Sequence, residues 1–163
     1  MKILTYFTMC LIPALFFGQS SLMRLSNYRL EEGAQYGWSC AGTEKFVAMG
    51  GPNASYELRG RKVDEGGKVI VYKPFNGKWV NHQELVNPAM DDFGWFGNAV
   101  AMNQQYLIVA ASGYSQKEIE NHEHREGKVY VYALSEKQYW QKQFEISAPN
   151  RNRAGSFGKT IIL

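Results

Sequence analysis

The chain is poor in cysteine. Only Cys10 and Cys40 occur in 163 residues. Cys10 falls in an apolar leader, so Cys40 is left alone, and a single thiol excludes an internal disulfide. Packing must then stabilise the mature chain. Cys40 sits in an apolar stretch and is expected to be a buried small hydrophobe; no His or Asn pattern accompanies it that would suggest a catalytic thiol. Excess charge is also scarce, at +3 overall. The basic runs "RGRK" (Arg59–Lys62) and "RNR" (Arg151–Arg153) are short. They read as solvated loops, not as the dense stripe that nucleic-acid binding needs. Helical periodicity is missing as well. No apolar run reaches the roughly 20 residues of a membrane helix. Ile3–Phe17 comes nearest; it follows Lys2 and precedes "GQS". That is the order of a secretory signal. Residues 1–19 are therefore expected to be removed on export, leaving a secreted or cell-surface protein without a membrane span. "YFTM" before Cys10 lacks the small residue expected next to a lipidated cysteine.

Aromatic residues and glycine are plentiful: ten Tyr, nine Phe, four Trp and 16 Gly. This mixture favours strands and tight turns. A repeat organises it. "YGW" at Tyr36 aligns with "FGW" at Phe93. "KFVAMGGP" then matches "YLIVAASG" after three extra residues, and "GGKVIVY" (Gly66–Tyr72) matches "EGKVYVY" (Glu126–Tyr132). Trp79 and Trp140 follow, and "FG" returns at Phe157. Each copy reads as four strands, near Trp38–Gly42, Lys45–Met49, Lys68–Tyr72 and Lys78–Leu85, then Asn98–Met102, Tyr106–Ala111, Lys128–Leu134 and Tyr139–Ile146. The third strand of each is apolar on both faces, so its sheet must be covered on both sides. With no helix to cover them, other sheets must. Four-stranded sheets stacked around an axis make a β-propeller. The small residues of "AMGG" and "VAAS" place the second strand near that axis.

The fold expected is all-β: two four-stranded antiparallel propeller blades and the start of a third, an incomplete propeller. The divisions are 1–19 signal, 20–35 lead-in, 36–90 first blade, 91–154 second blade and 155–163 the opening of the third. Two blades cannot close a ring. The chain is accordingly read as the N-terminal part of a longer protein, with closure by several chains as the alternative. Leu22–Gly37 is expected to supply an outer strand whose partner lies in the absent blades. Trp79 and Trp140 are expected as wedges between sheets, and Phe93-Gly94 as a packing aromatic beside a turn glycine with positive φ.

The ordered set "FG", "AVAM", "YLIVAAS", "GKVYVY" and Trp140 resembles the FG-GAP repeat, the blade of integrin α-subunit propellers and of many secreted bacterial proteins. The resemblance runs from about Tyr36 to Leu163. "VAAS" departs from the family's "GAP", and Tyr36 replaces Phe in the first opener. The loops also lack the alternating Asp/Asn string that wraps Ca²⁺, so no metal or cofactor is expected. The resemblance implies a non-enzymatic binding or adhesion module for a protein or glycan ligand. The long loops 53–66 and 113–127 would carry the contacts, with Tyr56, Arg59, Arg61, Tyr114, His122 and His124 as candidates.

Other chemistry is less well supported. His122 and His124 share a face at i, i+2 and suit Zn²⁺ or Cu²⁺, but nothing places a third ligand such as His82 nearby. Asn53–Ser55 fits a glycosylation acceptor. Asp91 and Asp92 are adjacent and would point to opposite faces of a strand, which does not make a general acid–base pair. A propeller-type hydrolase or lyase scaffold, or a structural spacer in a surface protein, are the alternative readings.

Overall fold

A computed structural model describes residues 25–26, 31–113, 127–148 and 157–163. Among these there are eleven strands and no helix. They are β1 (Leu25–Ser26), β2 (Ser39–Gly42), β3 (Val47–Gly51), β4 (Tyr56–Leu58), β5 (Arg61–Val63), β6 (Lys68–Phe75), β7 (Lys78–Val86), β8 (Phe96–Met102), β9 (Tyr106–Ala111), β10 (Lys128–Leu134) and β11 (Trp140–Ser147). Strands β2, β3, β6 and β7 form one antiparallel meander, and β8 to β11 form a second. The eight strands expected from sequence are these eight, with ends displaced by no more than three residues. The lead-in departs from expectation. β1 finds its partner in the first sheet, where Leu25 and Ser26 pair parallel with Trp79 and Val80 on the outer edge of β7.

The two sheets are built alike. The β2–β3 turn is held by Thr43 Oγ1, which accepts from the amides of Lys45 and Phe46 at 3.2 and 3.1 Å. Asn103 Oδ1 does the same for Gln105 and Tyr106 at 2.8 and 2.7 Å. These are the local side-chain turns that Thr and Asn favour. Both outer pairs carry a β-bulge at the same place, between Val71 and Tyr72 and between Val131 and Tyr132. The β6–β7 hairpin turns through Asn76 and Gly77, with φ of 48° and 72°, the two positive values a two-residue hairpin requires.

Strand pairing corrects the repeat register. Ser39 pairs with Gly50, which lies beside Val69; Ala99 pairs with Ala110, which lies beside Val129. The counterpart of Tyr36-Gly37 is therefore Phe96-Gly97, not Phe93-Gly94. Gly37, Gly97 and Gly158 all have positive φ, at 94°, 89° and 79°. They recur 60 and 61 residues apart, and the three extra residues of the sequence alignment disappear. At the expected opener it is Phe93, not Gly94, that has positive φ, at 56°.

The sheets stack face to back. Val69, Val71 and Leu85 of the first meet Val109, Tyr130, Tyr132 and Trp140 of the second in the main core. Ile70 and Tyr72 point the other way and form a separate cluster with Met49 and the half-buried Trp79. In the second sheet Val129 points away from the first sheet and packs with Ala99, Ala110, Phe157 and Ile161. Both faces of the "KVIVY" and "KVYVY" strands are thus apolar and buried, as their pattern requires. Trp140 is wedged between the sheets at 2% exposure, edge-on to Phe46 at 5.5 Å.

The backbones approach closely where β2 and β3 meet β8. A Cβ at Gly50 would overlap the Gly97 carbonyl, and one at Gly97 would lie 2.7 Å from the Lys68 carbonyl. Ser39 Oγ donates to that same Gly97 carbonyl at 2.7 Å. Cys40 differs from expectation and is exposed. Side chains alternate along β2, so Ala41 takes the core side, while Cys40 shares Met49's face.

Candidate functional site

The connections 52–67 and 87–95 lie at one end of the sheets, and the short turns at 43–46, 76–77, 103–105 and 135–139 lie at the other. The long loop 53–66 is not irregular. It folds into the β4–β5 hairpin, with Tyr56 opposite Val63 and Leu58 opposite Arg61. Arg59 and Gly60 form its tip with φ of 54° and 75°.

The base of the hairpin is fixed from the inside. Val63 is fully buried and Tyr56 nearly so. Both close on Gly66, where a Cβ would lie 2.5 Å from Val63 Cγ1 and 2.7 Å from the Tyr56 ring. The Tyr56 hydroxyl donates to the Asn87 carbonyl at 3.1 Å. Burial, reinforced by the Asp91 carboxylate, pushes that hydroxyl's pKa up to about 12. Asn87 is 1% exposed. Its Oδ1 accepts from the Tyr130 hydroxyl at 3.2 Å and from the Ala89 amide at 3.0 Å. Asn87 thereby joins the hairpin to the second sheet. Burial also raises the Tyr130 pKa, with the Glu145 carboxylate adding to it.

The outside is fixed by Asp92. Its carboxylate accepts from Arg61 Nη2 at 3.0 Å and from the Asp64 amide at 3.1 Å. Backbone bonds continue the seam: the Phe93, Trp95 and Phe96 amides donate to the Asp64, Glu65 and Gly66 carbonyls at 2.7, 3.3 and 3.0 Å. Lys62 pairs with Asp64 at 2.7 Å. Asp91 and Asp92 lie in a turn, not on a strand, and Asp92 is committed to this clamp. A polar pocket of about 30 Å³ lies beneath, lined by Asn87, Asp91, Gly94, Ala111, Gly113, Lys128 and Tyr130. That is the room of one water molecule, too small for a substrate.

Of the residues singled out from sequence, the structure presents Arg59 and Arg61 to solvent on the hairpin. Tyr56 is turned inward as an anchor. Tyr114, His122 and His124 lie outside the described residues. His82 is at the opposite end, its Nε2 2.6 Å from the Gln138 carbonyl and its ring stacked on Tyr139 at 4.7 Å. Among the described residues no group of three or more His, Cys, Asp or Glu could hold a metal. Sequence reasoning missed Asn87, and it weighed Asp92 only as half of an acid–base pair, not as the clamp on the hairpin. The signal available was "NPAMDD", a polar turn before the aromatic-glycine pair. No helix among the described residues is long and apolar enough to cross a membrane. No protein-family model matches the chain, and no curated protein matches it significantly.

Proposed function

We propose that this chain is a non-enzymatic, exported binding module built of propeller-type blades, which takes a protein or glycan ligand on its loop end. The β4–β5 hairpin carries the reading. It is a rigid projection, clamped through Tyr56, Asn87 and Asp92, with Arg59, Arg61 and Lys62 exposed along it. A fixed scaffold presenting loops is the usual arrangement of a recognition surface. Little ordering entropy is lost when such a surface binds. The exposed Arg59 guanidinium at the tip suits carboxylate and sulfate acceptors, which it engages with paired hydrogen bonds, whereas Arg61 and Lys62 beside it are already paired with Asp92 and Asp64. The ligand is therefore an acidic surface, on a glycan or a protein. Face-to-back stacking and the close approach at β2, β3 and β8 support the blade reading, and the leader pattern supports export.

The test is retention of the chain on arrays of sulfated and carboxylated glycans and of extracellular protein domains. A hit should weaken at least about tenfold in the Arg59→Ala/Lys62→Ala variant. It should be unchanged in Lys45→Ala, at the opposite end. Binding that ignores the hairpin substitutions, or no retention on either array, overturns the reading.

A further inference from the structure

We propose that Asn76-Gly77, at the tip of the β6–β7 hairpin, is a site of spontaneous modification. The Asn76 side-chain amide is lost as ammonia through a cyclic imide, and the isoaspartyl product unlatches the outer corner of the first sheet. The sequence offers this chemistry in one place: Asn76 is the only asparagine of the chain that precedes a glycine. Glycine has no Cβ to crowd the amide nitrogen that must attack.

The turn leaves both reacting groups free. In a two-residue hairpin the closing hydrogen bond runs between the flanking residues, here Phe75 and Lys78, which lie opposite each other. The Gly77 N–H takes no part in that bond. Among the described residues neither it nor the Asn76 side chain has a hydrogen-bond partner. Both residues are exposed, and a Cβ at Gly77 would meet nothing within 4 Å, so the ring has room to close. Other asparagines are held. Asn103 Oδ1 accepts from the Gln105 and Tyr106 amides, and Asn81 Nδ2 donates to Glu84 at 2.9 Å. Asn87 is buried and precedes Pro88, which has no N–H to attack with.

The reaction balances with water alone. The Gly77 nitrogen, after giving its proton to base, attacks Cγ of Asn76; a C–N bond closes the imide and ammonia leaves. Water then opens the ring. Cleavage of the bond to Cγ gives aspartate. Cleavage of the bond to the main-chain carbonyl carbon gives isoaspartate, with the chain now running through the side chain. Nothing is oxidised or reduced, and either product carries a new carboxylate at neutral pH. Isoaspartate adds a carbon to the main chain inside the turn that sets the register. Phe75 then no longer faces Lys78. The next pair inward, Pro74 and Trp79, adjoins β1, because Leu25 pairs with Trp79 and Ser26 with Val80 on the other edge of β7. The tip and β1 should loosen together, while the β4–β5 hairpin at the opposite end keeps its clamp.

Ageing of the folded full-length chain in mildly alkaline buffer, beside the same chain in guanidinium chloride, tests this. Trypsin isolates Asn76 in peptide 69–78, which holds no other asparagine. From the folded chain that peptide should gain one mass unit and accept methyl groups from an isoaspartyl methyltransferase, faster as pH rises. Asn76→Gln should abolish the change and Gly77→Ala should slow it. Circular dichroism checks that each variant is folded. Aged protein, separated by ion exchange, should lose hydrogen-exchange protection at 72–80 and 25–26. Asn76→Asp, which has the charge without the extra carbon, should keep it. A peptide 69–78 that stays unconverted in the folded chain would overturn the proposal, and conversion in guanidinium alone would mean that the turn shields Asn76. Isoaspartate with unchanged protection, or the same loss in Asn76→Asp, would equally overturn the unlatching.

Discussion

Asn87 joins four neighbours, Tyr130, Ala89, Tyr56 and Met90, through two different acceptors. Its side-chain oxygen serves Tyr130 and the Ala89 amide, whereas its backbone carbonyl serves Tyr56. The distinction has measurable consequences. Asn87→Ala strands a buried hydroxyl and loses a turn bond, at a cost of about 2–3 kcal/mol. Tyr56→Phe removes one hydroxyl from a carbonyl that also accepts from the Met90 amide at 3.0 Å, and costs about 1 kcal/mol. Urea unfolding of the double variants should separate the acceptors. Asn87→Ala with Tyr130→Phe should be less than additive by about 1 kcal/mol, because the first change already removes what the second would lose. Asn87→Ala with Tyr56→Phe should be additive within about 0.5 kcal/mol, because the carbonyl survives the substitution. Coupling in the second pair as large as in the first would mean that the backbone of this turn depends on the Asn87 side chain.

At the scale of elements, the joints between sheets turn on glycines that differ in what surrounds them. Gly97 combines φ of 89° with a crossing over Lys68 and Val69. Gly77 has φ of 72° in a hairpin tip with nothing within 4 Å of an added Cβ. Gly77→Ala should therefore cost only the left-handed penalty of about 1 kcal/mol. Gly97→Ala adds a backbone collision and should cost about 3 kcal/mol or more. Thermal melts of the two variants measure the gap, and equal losses would place the strain in φ alone. The same glycines show what the sequence could and could not reveal. The strands were legible because "KVIVY" and "KVYVY" are apolar on both faces and bounded by turn residues, a local pattern. The opener was misplaced because "FGWFG" contains two aromatic-glycine pairs, and only the crossing with Gly50 and Lys68 selects the second. The β4–β5 hairpin was hidden by its brevity: three-residue strands of mixed polarity have no readable period. Exposure of Arg59 and Arg61 follows from their charge, whereas the inward turn of Tyr56 follows from Asn87, thirty-one residues away. Cys40 was misjudged because an apolar neighbourhood does not say which face of an edge strand has a sheet over it.

For the whole molecule, Trp79 and Trp140 are the two indoles that a single rule of stacking should treat alike. They hold the same position in successive sheets. Trp140 is 2% exposed between sheets, whereas Trp79 packs half-buried on a face without a following sheet among the described residues. In dilute solution Trp140→Ala should lose about 3–5 kcal/mol, the range for deleting a buried indole. Trp79→Ala should lose about 1–2 kcal/mol, in proportion to the smaller area withdrawn from water. Denaturant midpoints of wild type and the two variants make the comparison. Equal losses would mean that Trp79, which packs against Met49, Ile70 and Tyr72, is as fully enclosed as Trp140.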